Sequence, residues 1–219
     1  VPKTIDNDIG GTDRSFGLDT AVNIATEAID RLHSTAESHH RVMIVEVMGR
    51  DAGWISCLAG IAGGADLVLV PEKPFDVEDA GRRLLARRAS GKNFSIVVVA
   101  EGAIPVGGAA LYETFPDETG RPRHGGIGQW LGHELSTRFQ LDNRVTVLGH
   151  VQRGGPASAA DRVLATRLGV CAADAAHEGR WGTAAALRGS RVETVPLADM
   201  TAPNPLDPEL LRVAEVFFA

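Results

Sequence analysis

Val22, Ala25, Ile29 and Leu32 recur at three- and four-residue intervals, so residues 18 to 33 predict an amphipathic helix, with Ser15 or Asp13 placed to cap it. Residues 42 to 47, VMIVEV, are β-branched and nearly all apolar, the composition of a strand buried on both faces. The alternation then repeats. A helix is expected over about 54 to 63, a strand at Leu67 to Val70, a helix over about 76 to 89 opened by Asp76, and a strand at Phe94 to Ala100. A long polar, Gly-rich stretch from 102 to 125 precedes a helix over about 126 to 139, a strand at Val145 to Leu148 and a helix over about 157 to 177. Strands alternating with helices imply crossover connections, a mostly parallel sheet and helices on both of its faces, so the fold class is α/β. Beyond residue 180 the pattern weakens to a strand at 192 to 196, the Pro-rich turn region TAPNPLDP and a last helix from about 208. There is no internal repeat.

Composition narrows the classes. With 219 residues, 44% hydrophobic and 23% charged, the chain can bury a sizeable core and suits one large domain or parts of two. No apolar run approaches the roughly 20 residues of a membrane span, and no secretory leader pattern opens the chain. Cys57 and Cys171 are too few for a disulfide framework and sit in apolar helical contexts, as core thiols of a cytoplasmic protein do. A net charge of -6 argues against nucleic acid or an anionic membrane as the general partner, so an anionic ligand needs a local basic pocket. The chain begins Val1-Pro2 and enters a motif at once, which leads us to expect a preceding segment.

Ligands of open parallel α/β sheets bind outside the carboxyl ends of the strands, where loops converge with helix N-termini. After VMIVEV comes MGRDAGW, after FSIVVVA comes Glu101-Gly102, and after VTVLG comes HVQRGGPAS. Glycine lets a backbone approach a ligand, and arginine offers a planar donor fork suited to phosphate. Gly154-Gly155-Pro156 leads straight into a helix, which places Arg153 beside a positive dipole end with Pro at or near the first helical position. By contrast, Arg82, Arg83, Arg87 and Arg88 flank Leu84 and Leu85 and read as a solvated helix face, and His39 and His40 as surface residues.

Asp6 and Asp8 are two residues apart, so in an extended or turning segment they project to one side and can share a metal or a polar pocket. DNDIGG resembles the start of a calcium loop but lacks its later ligands, with Gly10 and Gly17 at the fifth and twelfth positions. An acidic turn without chemistry is one alternative. The other is phosphoryl transfer, in which one carboxylate accepts a hydroxyl proton and the second holds charge or magnesium while arginines clamp the phosphates.

PKTIDNDI (2 to 9), EVMGRDAGW (46 to 54), AEG (100 to 102) and LGHVQRGG (148 to 155) resemble, in order and spacing, the signature segments of the 6-phosphofructokinases. The resemblance runs from residue 2 to roughly 190. It implies two three-layer α/β/α domains with mostly parallel sheets, the sugar-phosphate domain over 18–151 and an incomplete donor domain from 1–17 and 152–219. It implies Asp6 as the catalytic base for the 1-hydroxyl of fructose 6-phosphate, Thr4 near the transferred phosphoryl group, and Asp8 as the second carboxylate, close to Mg2+ and the donor. Met48, Gly49 and Arg50 match the loop along the sugar, with Arg50 stabilising transition-state charge. Glu101 matches a sugar-hydroxyl acceptor, and His150 and Arg153 match ligands of the 6-phosphate. Arg41 and Arg144 match arginines that reach a neighbouring subunit's 6-phosphate, which implies a homo-oligomer, dimer or tetramer, with shared sites.

Departures from the family's pattern matter too. His33 and Asp66 stand where members with an allosteric ADP site carry Arg and Glu, which argues against that regulation. Lys3, where many ATP-dependent members have Gly, resembles the pyrophosphate-dependent and mixed branches, as do RDAGW and the stretch 102 to 125. ATP is the favoured donor and pyrophosphate the other candidate. The family's Gly-rich donor loop and main magnesium ligand belong before Val1, so the 219 residues alone are expected to be inactive. A non-catalytic sugar-phosphate-binding or regulatory subunit is the competing function.

Overall fold

Two six-residue runs, VMIVEV and SIVVVA, lie side by side at the centre of the molecule with every residue buried. The computed structural model of the chain describes residues 1–111 and 125–216. In chain order, β1 (Lys3–Thr4) pairs in parallel with β2 (Phe16–Gly17), and α1 (Leu18–His39) follows. Then come β3 (Val42–Val47), α2 (Trp54–Ala62), β4 (Leu67–Leu69), α3 (Val77–Ala89), β5 (Ser95–Ala100), α4 (Ile127–Phe139) and β6 (Asn143–Val147). A 3-10 turn (Gly149–Arg153) leads to α5 (Ala159–His177), the strands β7 (Thr183–Arg188) and β8 (Arg191–Pro196), a second 3-10 turn (Leu197–Thr201) and α6 (Pro208–Glu215).

Strands β3 to β6 form one parallel sheet in the order β4-β5-β3-β6. Its side chains alternate between two cores, as the period of two requires. Met43, Val45, Val68, Ile96 and Val98 pack with α1 and α2 on one face; Val42, Ile44, Leu67, Val97 and Val99 pack with α3 and α4 on the other. The α/β reading and the three-layer arrangement are therefore present around this sheet. Outside it the sheets are two-stranded, β1 with β2 and an antiparallel hairpin of β7 and β8. The hairpin lays Ala185 against Leu164 and Leu168 of α5.

Several local expectations need correction. Helix α1 runs to His39 because its apolar stripe continues through the fully buried Ala36. Neither Ser15 nor Asp13 caps it: the cap position is Gly17 at φ 116°, while the Ser15 hydroxyl donates to the Thr4 carbonyl at 2.8 Å and the Asp13 carboxylate accepts from Gly189 N at 2.5 Å. Asp76 does cap α3, accepting from Glu78 N at 2.9 Å, with Arg87 and Arg88 in the last turn to suit the dipole. Arg87 nevertheless leaves the solvated face, pairing at 2.7 Å with Asp66, whose side chain is 10% exposed. Helix α5 begins later than expected, because Ser158 accepts from Asp161 N and sets the cap; Pro156 lies ahead of it, not in its first turn. Strand β7 went unpredicted because an alanine-rich run carries little strand propensity. Cys57 is buried, its thiol pushed up to about 12 by burial first and then by Glu72 and Glu215, whereas Cys171 is half-buried. Of the stretch 102 to 125, residues 112–124 lie outside the described residues; its start is tied down by Phe75, whose N–H donates to the Ile104 carbonyl at 3.0 Å.

Candidate active site

The acidic turn is held by its own neighbours. Asp6 N donates to Thr4 Oγ1 at 3.1 Å, and the Thr4 hydroxyl lies 3.3 Å from Asp6 Oδ2. Between the two carboxylates, Asn7 is 1% exposed and adopts φ 55°, a left-handed conformation that Asn tolerates because its short amide can bond locally. Its Oδ1 accepts from Ser15 N at 2.7 Å and from the Ser15 hydroxyl at 3.2 Å.

The carboxyl ends of β3 and β5 bring the next groups alongside. Gly49, at φ 142°, turns the chain after Met48, and Gly102 N donates to its carbonyl at 3.1 Å. A Cβ on Gly102 would stand 1.9 Å from the Arg50 carbonyl oxygen, so only glycine permits this approach of the two loops. Gln152, 1% exposed, locks the 3-10 turn to the same edge: its Oε1 accepts from Met48 N at 3.4 Å and its Nε2 donates to the Gly149 carbonyl at 3.1 Å. Arg153 and His150 on that turn are solvent-facing. A hollow of about 290 Å³ adjoins Arg153, lined also by Ile5, Gly17, Thr20, Gly154 and Asp161.

The electrostatics join these segments into one site. Burial raises the Asp6 carboxyl above its ordinary value, Asp8 and Asp51 raise it further, and the Thr4 hydroxyl and Arg153 pull it back. Glu101 is pushed up to about 7, by burial first and then by Asp6 and Glu46, against a hydrogen bond from Gly49 N–H and the charge of Arg153. The charge of Asp6 therefore reaches Glu101, and Arg153 acts on both. A carboxylate so raised is a better proton acceptor than an exposed one, and an arginine at its rim suits an anionic ligand.

The site thus gathers Thr4, Asp6, Asp8, Gly49, Glu101 and Arg153, with Met48 buried beneath. Arg50 is half-exposed next to Asp51, Nε to Oδ2 at 3.8 Å, and Lys3 is exposed on β1. Arg41 and Arg144 are elsewhere. They flank Asp142, at 2.6 and 2.9 Å, at the amino end of β3 and β6, across the length of the sheet from the acidic turn. Among the described residues no group of three or more His, Cys, Asp or Glu could hold a metal by itself. Asp8 suits magnesium, which is commonly held by one or two carboxylates together with phosphate oxygens and water.

Sequence reasoning overlooked the supporting residues Asn7, Gln152 and Glu46. Glu46, 3% exposed within β3, accepts from Gly128 N at 2.8 Å and Gly126 N at 3.3 Å, filling the N-terminus of a helix whose own cap is a glycine. The available signal was a polar residue inside an otherwise apolar strand.

Fold and site define an α/β protein whose carboxylates and arginine gather at the carboxyl edge of a parallel sheet, where open α/β sheets bind ligands. The Phosphofructokinase family model matches residues 1–176. The chain is 54% identical over 220 residues to the pyrophosphate–fructose 6-phosphate 1-phosphotransferase of Amycolatopsis methanolica, covering 100% of this chain and 64% of that one. It is 56% identical over 210 residues to the ATP-dependent 6-phosphofructokinase of Mycobacterium tuberculosis, covering 95% of this chain and 61% of that protein. Phosphofructokinase from Saccharomyces cerevisiae superposes with a TM-score of 0.77 at 35% identity, over 98% of this chain and 26% of the other. The chain belongs to the phosphofructokinase family. It spans between about half and two thirds of the length of the curated relatives it matches.

Proposed function

We propose that the intact protein transfers a phosphoryl group to the 1-hydroxyl of fructose 6-phosphate, giving fructose 1,6-bisphosphate. The observation that carries this is the convergence of Asp6, Glu101 and Arg153 at one sheet edge, with Asp8 beside Asp6. Asp6 accepts the hydroxyl proton as the bond from O1 to phosphorus forms and the bond from phosphorus to the donor's bridging oxygen breaks. Its raised proton affinity, set mainly by burial, suits that step. Thr4 stands beside Asp6 and steadies its carboxylate. Met48 and Gly49 line the sugar, Arg50 offsets transition-state charge, Glu101 bonds a sugar hydroxyl, and His150 and Arg153 receive the 6-phosphate. Asp8 is the carboxylate of this chain that would face Mg2+, which, when bound, neutralises donor phosphate charge.

Arg41 and Arg144 lie too far along the sheet to serve their own chain's site, which supports a homo-oligomer in which they reach a neighbouring subunit's sugar phosphate. The donor we favour is ATP; Lys3 at the start of the acidic segment supports pyrophosphate as the other candidate. We place the enzyme in the cytoplasm, with two thiols and no disulfide. The test is fructose 1,6-bisphosphate formation by the intact protein with Mg2+ and each donor in turn. Asp6→Asn is expected to lower kcat by about three orders of magnitude or more with little change in sugar affinity. Near-normal turnover would sink the base assignment.

A further inference from the structure

The Pro-rich segment at 202 to 206 packs as a strap between the acidic turn and the start of α2. On one side it bridges residues 8 to 10: Gly10 N donates to the Ala202 carbonyl at 2.7 Å, Asn204 N donates to the Asp8 carbonyl at 2.9 Å, and Ile9 faces Pro203. On the other side, Trp54 Nε1 donates to the Asn204 carbonyl at 2.9 Å, and Leu206 N donates to Glu72 Oε1 at 2.8 Å. The same Glu72 carboxylate accepts from Gly53 N at 3.0 and 3.1 Å. Asn204 therefore meets both partners. Its Nδ2 also donates at 2.8 Å to the carbonyl of Asn7, the left-handed residue that separates the two carboxylates.

We infer that Asn204 is a positioning residue, coupling the Asp6 and Asp8 carboxylates through Trp54 to the Met48–Arg50 loop. This rests on the reading of Asp6 as the base. Asn7 is held from within by Ser15 and Asp13 and from the strap by Asn204, so the Nδ2 bond, together with the backbone bonds of Asp8 and Gly10 to the strap, sets how far the turn stands from α2. Residues 50 to 53 lead straight into α2, so the indole of Trp54 measures that distance from the Arg50 side. Catalytic geometry is sensitive at this scale, because a displacement of about 1 Å can cost about a hundredfold in rate.

The experiment compares Asn204→Ala, Trp54→Phe and the double variant in the intact protein, with fructose 6-phosphate and the active donor, well below each variant's thermal midpoint. Each single variant is expected to lower kcat about tenfold while KM for fructose 6-phosphate stays within about twofold, and the double variant to be no more than about twofold worse than the poorer single. Trp54→Phe removes the indole N–H and part of the ring's bulk while keeping an aromatic side chain on the core, so it tests the coupling even if Asn204→Ala folds poorly. Unchanged kcat in the single variants, or losses that multiply in the double variant and follow the thermal midpoint, would overturn the inference. Near-normal turnover by Asp6→Asn would instead overturn the base assignment on which it stands.

Discussion

Glu101→Gln isolates the electrostatics of the site in one substitution. The Glu101 carboxyl rises from an ordinary glutamate's 4.5 to about 7, so between those values the folded protein keeps a proton that the unfolded chain has released. Stability is therefore fullest below about pH 4.5 and falls as the pH climbs through 7. The difference of about 2.5 pH units, at about 1.36 kcal/mol each, sets a ceiling of about 3 kcal/mol. Water on the open side of the site and residual compactness of the unfolded chain reduce this to about 1–2 kcal/mol. Glutamine keeps the shape, can still accept from Gly49 N–H, and does not ionise. Thermal unfolding of the intact protein should show Glu101→Gln gaining about 2–8 °C at pH 8, with the gain shrinking to about a quarter at pH 5. An equal gain at both pH values, or a loss at pH 8, would refute burial as the cause of the raised carboxyl.

Three further outcomes follow from packing. Gly102→Ala places a methyl 1.9 Å from the Arg50 carbonyl oxygen, so the Met48–Arg50 loop must move; KM for fructose 6-phosphate should rise at least about tenfold in steady-state kinetics. Asp161 is 5% exposed and accepts from Thr20 N at 2.8 Å and Thr20 Oγ1 at 2.5 Å, tying α1 to α5. Asp161→Ala should cost about 1–3 kcal/mol in denaturant unfolding, through the Thr20 donors left behind, with Asp161→Asn milder. Leu131→Ala on α4 empties a fully buried position and should cost about 2–5 kcal/mol in the same assay without changing KM.

Most of the parallel sheet could be read from the chain because its strands are short, apolar and β-branched, so burial on both faces follows from composition. The ends of elements were less legible where a side chain chose a tertiary partner over a local one. Ser15 forgoes the cap of α1 for Thr4 and Asn7, and Arg87 forgoes solvent for Asp66. Strand β7 was invisible because its alanines state no preference until β8 and α5 supply one. Of the site, the acidic pair and the strand-end loops declared themselves through charge and glycine in unusual places. Asn7, Gln152 and Asn204 did not, since a single amide in a loop looks the same whether it faces water or joins two segments.

The sequence by itself determined the α/β class, the central strands and the identity of the charged groups, because hydrophobic period and residue chemistry are local properties. Only the tertiary structure decided that Arg153 acts on both Asp6 and Glu101 at one end of the sheet while Arg41 and Arg144 flank Asp142 at the other. It also decided that burial pushes the Glu101 carboxyl up to about 7. Proton affinity depends on burial and on charges brought close by the fold, and neither distance nor dielectric is written in the order of the residues.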